Sequence, residues 1–140
     1  MGQVMEQMAD YPDAITCYSQ AFSLEPTDTE TWYFINNNLG FCLNTLGRYE
    51  EGEVYCRNAL SVDPGRSNAH KNLGISREGQ GDYVEAADAY MAAIRVDACD
   101  PRALQHLEEL YHRCPESILQ IPDFEAKLAK CREAVRARRR

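Results

Sequence analysis

The residues of this 140-residue chain best suited to chemistry are a pair of histidines flanked by cysteines and a set of asparagines in helical surroundings. Cys99, His106, His112 and Cys114 offer zinc-type donors, but the spacing C-x6-H-x5-H-x-C matches no usual zinc pattern. Six residues apart on one helix, the two imidazoles would diverge by roughly 120°. Glu50, Glu51, Glu53, Glu85 and Asp88 fall on helix faces expected to be solvated, and sequence proximity constrains no Ser/His/Asp or Cys/His group. Gly79-Gln80-Gly81 lacks the G-K-[ST] that follows a phosphate-cradling loop. No catalytic residue, metal or cofactor is therefore expected. The asparagines read differently. Asn36-Asn37-Asn38 and Asn44 sit inside an expected helix, where each costs about half a kcal/mol relative to alanine. Asn38 is answered by Asn72, 34 residues later. A carboxamide both donates and accepts, so such a pair can bond a peptide backbone without reading its side chains. The alternative is that these amides bond a neighbouring helix end or water.

The element that positions these residues is a repeat. Leu39-Gly40 returns as Leu73-Gly74, and Gly47-Arg48-Tyr49 as Gly81-Asp82-Tyr83, both after 34 residues. Ala59 returns as Ala93, and Ala86 answers Gly52. An earlier copy, Tyr11-Pro12-Asp13-Ala14 followed by Tyr18, Ala21 and Pro26, lies 38 residues ahead of its successor. In the last copy Leu107 keeps register, Glu108 replaces the glycine, and Asp100-Pro101 opens the helix as cap and first-turn proline. Cys114-Pro115 ends that copy, and a linker to Ile121 leads to a closing helix from Pro122. Its apolar Phe124, Leu128, Cys131 and Val135 share one face.

These residues resemble the tetratricopeptide repeat, with its W-x2-L-G-x2-Y opening and later alanine, aromatic, alanine and proline positions. Asn36, His70 and Leu104 stand in the tryptophan slot, while Trp32 lies one helical turn earlier. Thr27 and Glu30 have capping-box spacing ahead of that extra turn. The resemblance implies an all-α, right-handed superhelical solenoid of antiparallel helix pairs, about seven helices with a C-terminal capping helix. It forms a single array over 1–140: a truncated repeat at 1–28, a lengthened one at 29–66, a third at 67–100, and a degenerate repeat with its cap at 101–140. The resemblance further implies a non-catalytic scaffold, with the first helix of each unit lining a concave groove for an extended peptide segment. On this sequence the groove residues would be Phe34, Asn37, Asn38, Phe41 and Asn44, then Asn68, Lys71, Asn72 and Ile75, then Arg102, Gln105, His106 and Glu109. Asn38 and Asn72 would hold the ligand backbone, Phe34, Phe41 and Ile75 would add apolar contact, and Lys71 and Arg102 would favour acidic groups. The carboxylate-clamp version found in co-chaperones fits less well. Asn37 and Phe41 fill its first lysine and asparagine slots, and His106 replaces its arginine.

Charge and cysteine usage bound the partners. A net charge of −7 and a pI near 4.9 argue against nucleic acid or an anionic membrane. No apolar run approaches the ~18 residues a spanning helix needs. Asp123–Arg140 holds seven bases and three acids, against eight and nineteen in residues 1–122. The basic tail is read as complementing its own helix dipole rather than as a nucleic-acid or phospholipid handle. Six cysteines without a C-x-x-C pair suggest reduced thiols in a cytoplasmic setting. Met1, Val4, Met5 and Met8 form an apolar stripe on a helix that lacks its opening turn, so the chain reads as cut from a longer array. A homodimer through that end is the rival expectation.

Overall fold

The computed structural model of the chain describes residues 11–24 and 28–139. Within them lie eight helices: α1 (Tyr11–Ser23), α2 (Thr29–Thr45), α3 (Tyr49–Val62), α4 (Ser67–Gly79), α5 (Tyr83–Val96), α6 (Arg102–Arg113), α7 (Pro115–Ile118) and α8 (Phe124–Arg139). No strand occurs among the described residues. The Met1/Val4/Met5/Met8 stripe lies outside them, as does Thr27.

Glycine makes the hairpins. Gly47 and Gly81 have φ of +78° and +84°, with open space where a Cβ would stand, so conformation and not crowding selects glycine. At each turn the residue after glycine reaches back to the last helical turn: Arg48 N donates to Leu43 O and Asp82 N to Arg77 O, both at 2.9 Å. Helices α2 and α3 therefore fold back on each other, as do α4 and α5, and α3 packs on α4 to stack the pairs. At the α2–α3 crossing, a Cβ on Gly40 would stand 2.6 Å from Cys56 Sγ and 3.1 Å from the backbone oxygen of Gly52. Only glycine permits that approach. Helix α2 also touches α4, which brings the first helices of successive units side by side.

Helix α2 has 17 residues and α4 has 13, and Trp32 rides on the additional first turn. The cap of α2 is Asp28, whose Oδ1 accepts from Glu30 N at 3.0 Å while Oδ2 accepts from Thr31 Oγ1 at 3.0 Å. The expected linker after Cys114 contains a helical turn of its own, α7, so the described helices number eight rather than about seven. Pro115 opens it at a position that needs no N–H, and fully buried Ile118 ties it to the core.

The largest apolar core among the described residues runs through α5, α6, α7 and α8, from Ala86 to Val135. All four of Phe124, Leu128, Cys131 and Val135 are buried, so α8 closes the stack with one covered face. Among the described residues no helix is long and apolar enough to cross a membrane, and no three His, Cys, Asp or Glu side chains gather as metal ligands.

Candidate functional site

Three helices, α2, α4 and α6, carry the candidate residues at matching positions along each axis. Phe34, Asn37, Asn38 and Phe41 follow i, i+3, i+4, i+7 spacing on α2, and Asn68, Lys71, Asn72 and Ile75 repeat it on α4. On α6 the stripe is Arg102, Gln105, His106 and Glu109. The side chains along these stripes differ sharply in what they touch.

Most of the amides point into the protein. Asn72 is 1% exposed, and its Nδ2 donates to Asn37 Oδ1 at 2.9 Å, joining α4 to α2. Asn44 donates to the backbone oxygen of Asn72 at 3.0 Å and accepts from Ser76 Oγ at 2.7 Å. Asn38, half-buried, donates to the Tyr18 hydroxyl on α1 at 3.2 Å. Asn36 is fully buried and its Nδ2 turns back to Trp32 O at 2.8 Å. The Oδ1 atoms of Asn36 and Asn72 meet no donor among the described residues. Leaving a buried acceptor unpaired costs on the order of 1–3 kcal/mol. The asparagines thus form a polar seam between repeats. Their inward turn was hidden in the sequence because the partners lie up to 35 residues apart.

What remains open on this face is mixed: apolar Phe34 and Phe41, polar Asn68 and Gln105, and charged Arg102 and Glu109. Phe34 and Phe41 are 43% and 37% exposed, one on each side of the amides. The Arg66 guanidinium lies 5.1 Å from the Phe34 ring and 4.8 Å from that of Tyr33. Tyr33, Phe34, Asn37 and Asn68 line a shallow cavity of about 290 Å³ at this end of the face. Ile75 is half-buried and leans on the core of α5–α8.

Lys71 is the unusual cation. It is only 7% exposed, makes no ion pair, and has its pKa lowered by burial and next by the Arg102 guanidinium. Arg102 itself is neutralised: Asp100 takes its Nε and Nη2, the shortest bond being 2.6 Å. The same Asp100 accepts from Arg102 N at 3.0 Å, but the cap position of α6 falls on Pro101, one residue later than the sequence suggests. His106 stacks on the Tyr90 ring at 5.3 Å and 11°. Burial and then Lys71 depress its pKa, so the imidazole is neutral at pH 7. Glu78 accepts from the Tyr90 hydroxyl at 2.8 Å and pairs with Arg113. Among the described residues Lys71 is therefore the cation on the three stripes with no carboxylate within 4.0 Å, Asp100 acting on it only from farther away. Sequence reasoning placed it on this face but could not show its burial, which depends on how α4 seats between its neighbours.

Burial pushes the Cys56 thiol up to about 12, and Cys131 is raised for the same reason.

Comparison with known proteins agrees with the repeat reading. A tetratricopeptide-repeat family model matches residues 33–98. Heat shock protein STI1 of Saccharomyces cerevisiae is 25% identical over 115 residues, which cover 82% of this chain and 19% of that protein. Among solved structures, MamA from Desulfovibrio magneticus RS-1 superposes with a TM-score of 0.76 at 19% identity, over 98% of this chain and 73% of that one. The first TPR of Spaghetti (RPAP3), bound to an HSP90 peptide, gives 0.72 at 18% identity, over 81% and 87%. Residues 33–98 thus carry tetratricopeptide repeats, and the fold of the described residues is a helix-pair solenoid of the kind used as a protein–protein interaction module. It spans less than a quarter of the length of the curated relatives it matches.

Proposed function

We propose that this chain is a non-catalytic cytoplasmic scaffold that holds an extended, acidic segment of a partner protein against α2, α4 and α6. The observation that carries the reading is Lys71. A lysine stem held in a packed face, with its ammonium unpaired, leaves a charge whose natural complement comes from outside the chain. Phe34, Phe41 and Ile75 supply apolar contact beside it, and Arg102 and His106 bound the far side. Asn37, Asn38 and Asn72 act by holding α1, α2 and α4 in register, with Asn38 at the edge where a ligand backbone would pass. The structural neighbour solved with an HSP90 peptide supports the class of ligand, since that peptide, SRMEEVD, is acidic. The two-handed carboxylate clamp is disfavoured, because Arg102 is already bound to Asp100 and His106 is neutral.

The test is a titration by fluorescence anisotropy with a labelled, proline-containing peptide that alternates Glu with Leu and cannot form a helix. Wild type should bind it in a salt-sensitive way. Lys71→Met should weaken binding by about tenfold, the loss of one charge-assisted contact, and should not lower the melting temperature. Equal affinity of wild type and Lys71→Met would remove this reading.

A further inference from the structure

The ion pairs divide the cations into two groups. Arg48, Arg57, Arg66, Arg77, Arg102, Arg113, Arg132 and Arg136 all have a carboxylate partner within 4.0 Å. Among the cations with described side chains, Lys71 and four others have none. Those four, Arg95, Lys127, Lys130 and Arg138, rim a single groove between α5 and α8, on different helices from the face just described. Among the described residues no acidic side chain lines it.

The groove holds about 570 Å³, within the ~300–1,000 Å³ of ligand-sized clefts. Buried Met91, Ile94 and Cys131 make its floor, and Ala134 and Ala137 lie along α8. The α8 residues recur at i, i+3, i+4, i+7 and beyond from Lys127 to Arg138, a run of eleven steps or about 16 Å at 1.5 Å per residue. That is three helical turns. Small alanines on such a run let another helix axis come close. The sequence reading of the tail as a complement to its own dipole accounts for cations in the last turn only. Lys127 stands in the first turn of α8, and Arg95 belongs to α5.

We propose that this groove docks a three-turn amphipathic helix of a partner protein, with an apolar stripe on its floor side and Asp or Glu along both edges. Charge complementarity selects that occupant: four unpaired cations around an apolar floor need acids and aliphatics in one ligand. A nucleic acid would find no aromatic side chain among the described residues lining the groove to stack on. An anionic bilayer would meet a chain of net charge −7.

The experiment uses the full chain and a fluorescein-labelled synthetic helix, with leucines at i, i+3, i+4 and i+7 flanked by glutamates. Saturable binding that weakens at high salt is expected. Lys127→Glu/Lys130→Glu should weaken it by about tenfold or more. Both side chains are exposed, so circular dichroism of that variant should match wild type. A composition-matched peptide with the leucine stripe scrambled should bind about tenfold less tightly, and Lys71→Met should leave the helix affinity unchanged. Equal binding of the scrambled peptide, or of the double variant, overturns the proposal. So does displacement of the helix by phosphatidylserine vesicles or duplex DNA at similar concentrations. Loss of binding in Lys71→Met alone would move the helix to the other face and overturn it as well.

Discussion

The two halves of the solenoid are held together by different chemistry. Between α5 and α8 the interior is continuous hydrocarbon and aromatic surface, with Tyr90, Leu107, Leu110, Ile118, Phe124 and Leu128 all buried. Between α2 and α4 the equivalent layer is a seam of amides and one hydroxyl, Asn36, Asn37, Asn44, Asn72 and Ser76. Among the described residues the apolar clusters beside that seam are Tyr33 with Ala59 and Ala69, and Cys56 with Leu73 and Ala89, while Ile35, Leu39, Cys42 and Leu43 of α2 are buried as well. Burying hydrocarbon stabilises without regard to direction, whereas an amide seam stabilises in one register and costs free energy wherever an acceptor goes unpaired. The same repeat frame thus supports a stability-bearing half and a half where polar and cationic groups reach the binding face.

Substitutions should separate these roles. Leu107→Ala removes a fully buried side chain from the apolar half and should cost about 2–5 kcal/mol by urea unfolding. Asn72→Ala removes the bond to Asn37 and exchanges one unpaired acceptor, Asn72 Oδ1, for another, Asn37 Oδ1, so only about 0.5–1.5 kcal/mol should be lost in the same measurement. If Asn72→Ala proved more damaging than Leu107→Ala, the division into halves would be inverted.

A third substitution sharpens the comparison by going the other way. Asn36 is fully buried with an unpaired Oδ1, and the equivalent slot one repeat from the C-terminus is filled by Leu104. Asn36→Leu should therefore stabilise the chain by about 1 kcal/mol, visible as a higher urea midpoint. Destabilisation would show that the Asn36 amide has a role the bond to Trp32 O does not express.

The smallest effect is set by pH. Burial first, and Lys71 second, hold the His106 pKa below 6.5, so the folded chain binds that proton less readily than the unfolded one. Nothing is lost above the unfolded value, where both states are neutral, and stability falls as pH drops through and below it. His106→Gln should flatten the urea midpoint between about pH 7 and about pH 5. An unchanged slope would place the acid sensitivity elsewhere.

Much of the frame was legible because it is periodic. Leu39, Leu73 and Leu107 are buried in register, Gly47 and Gly81 make like turns, and the α8 stripe is covered. Features that depend on two chain segments were not. A period places Asn38 and Asn72 at equivalent positions yet says nothing of Tyr18 or Asn37, the side chains that take their amides. The helical turn at Pro115 is too short to show a periodicity. The groove between α5 and α8 needs Arg95 beside a tail more than thirty residues away, so its unpaired charge emerges only after packing.

The central claim is that Lys71 lies under an acidic, extended segment. The most direct measurement is amide chemical-shift mapping of the labelled chain with the proline-containing Glu/Leu peptide. The account predicts shifts concentrated around Phe34, Phe41, Lys71 and Ile75 that vanish in Lys71→Met while the rest of the spectrum is preserved. Shifts centred instead on Lys127, Lys130 and Arg95, or spread evenly over the surface, would contradict it.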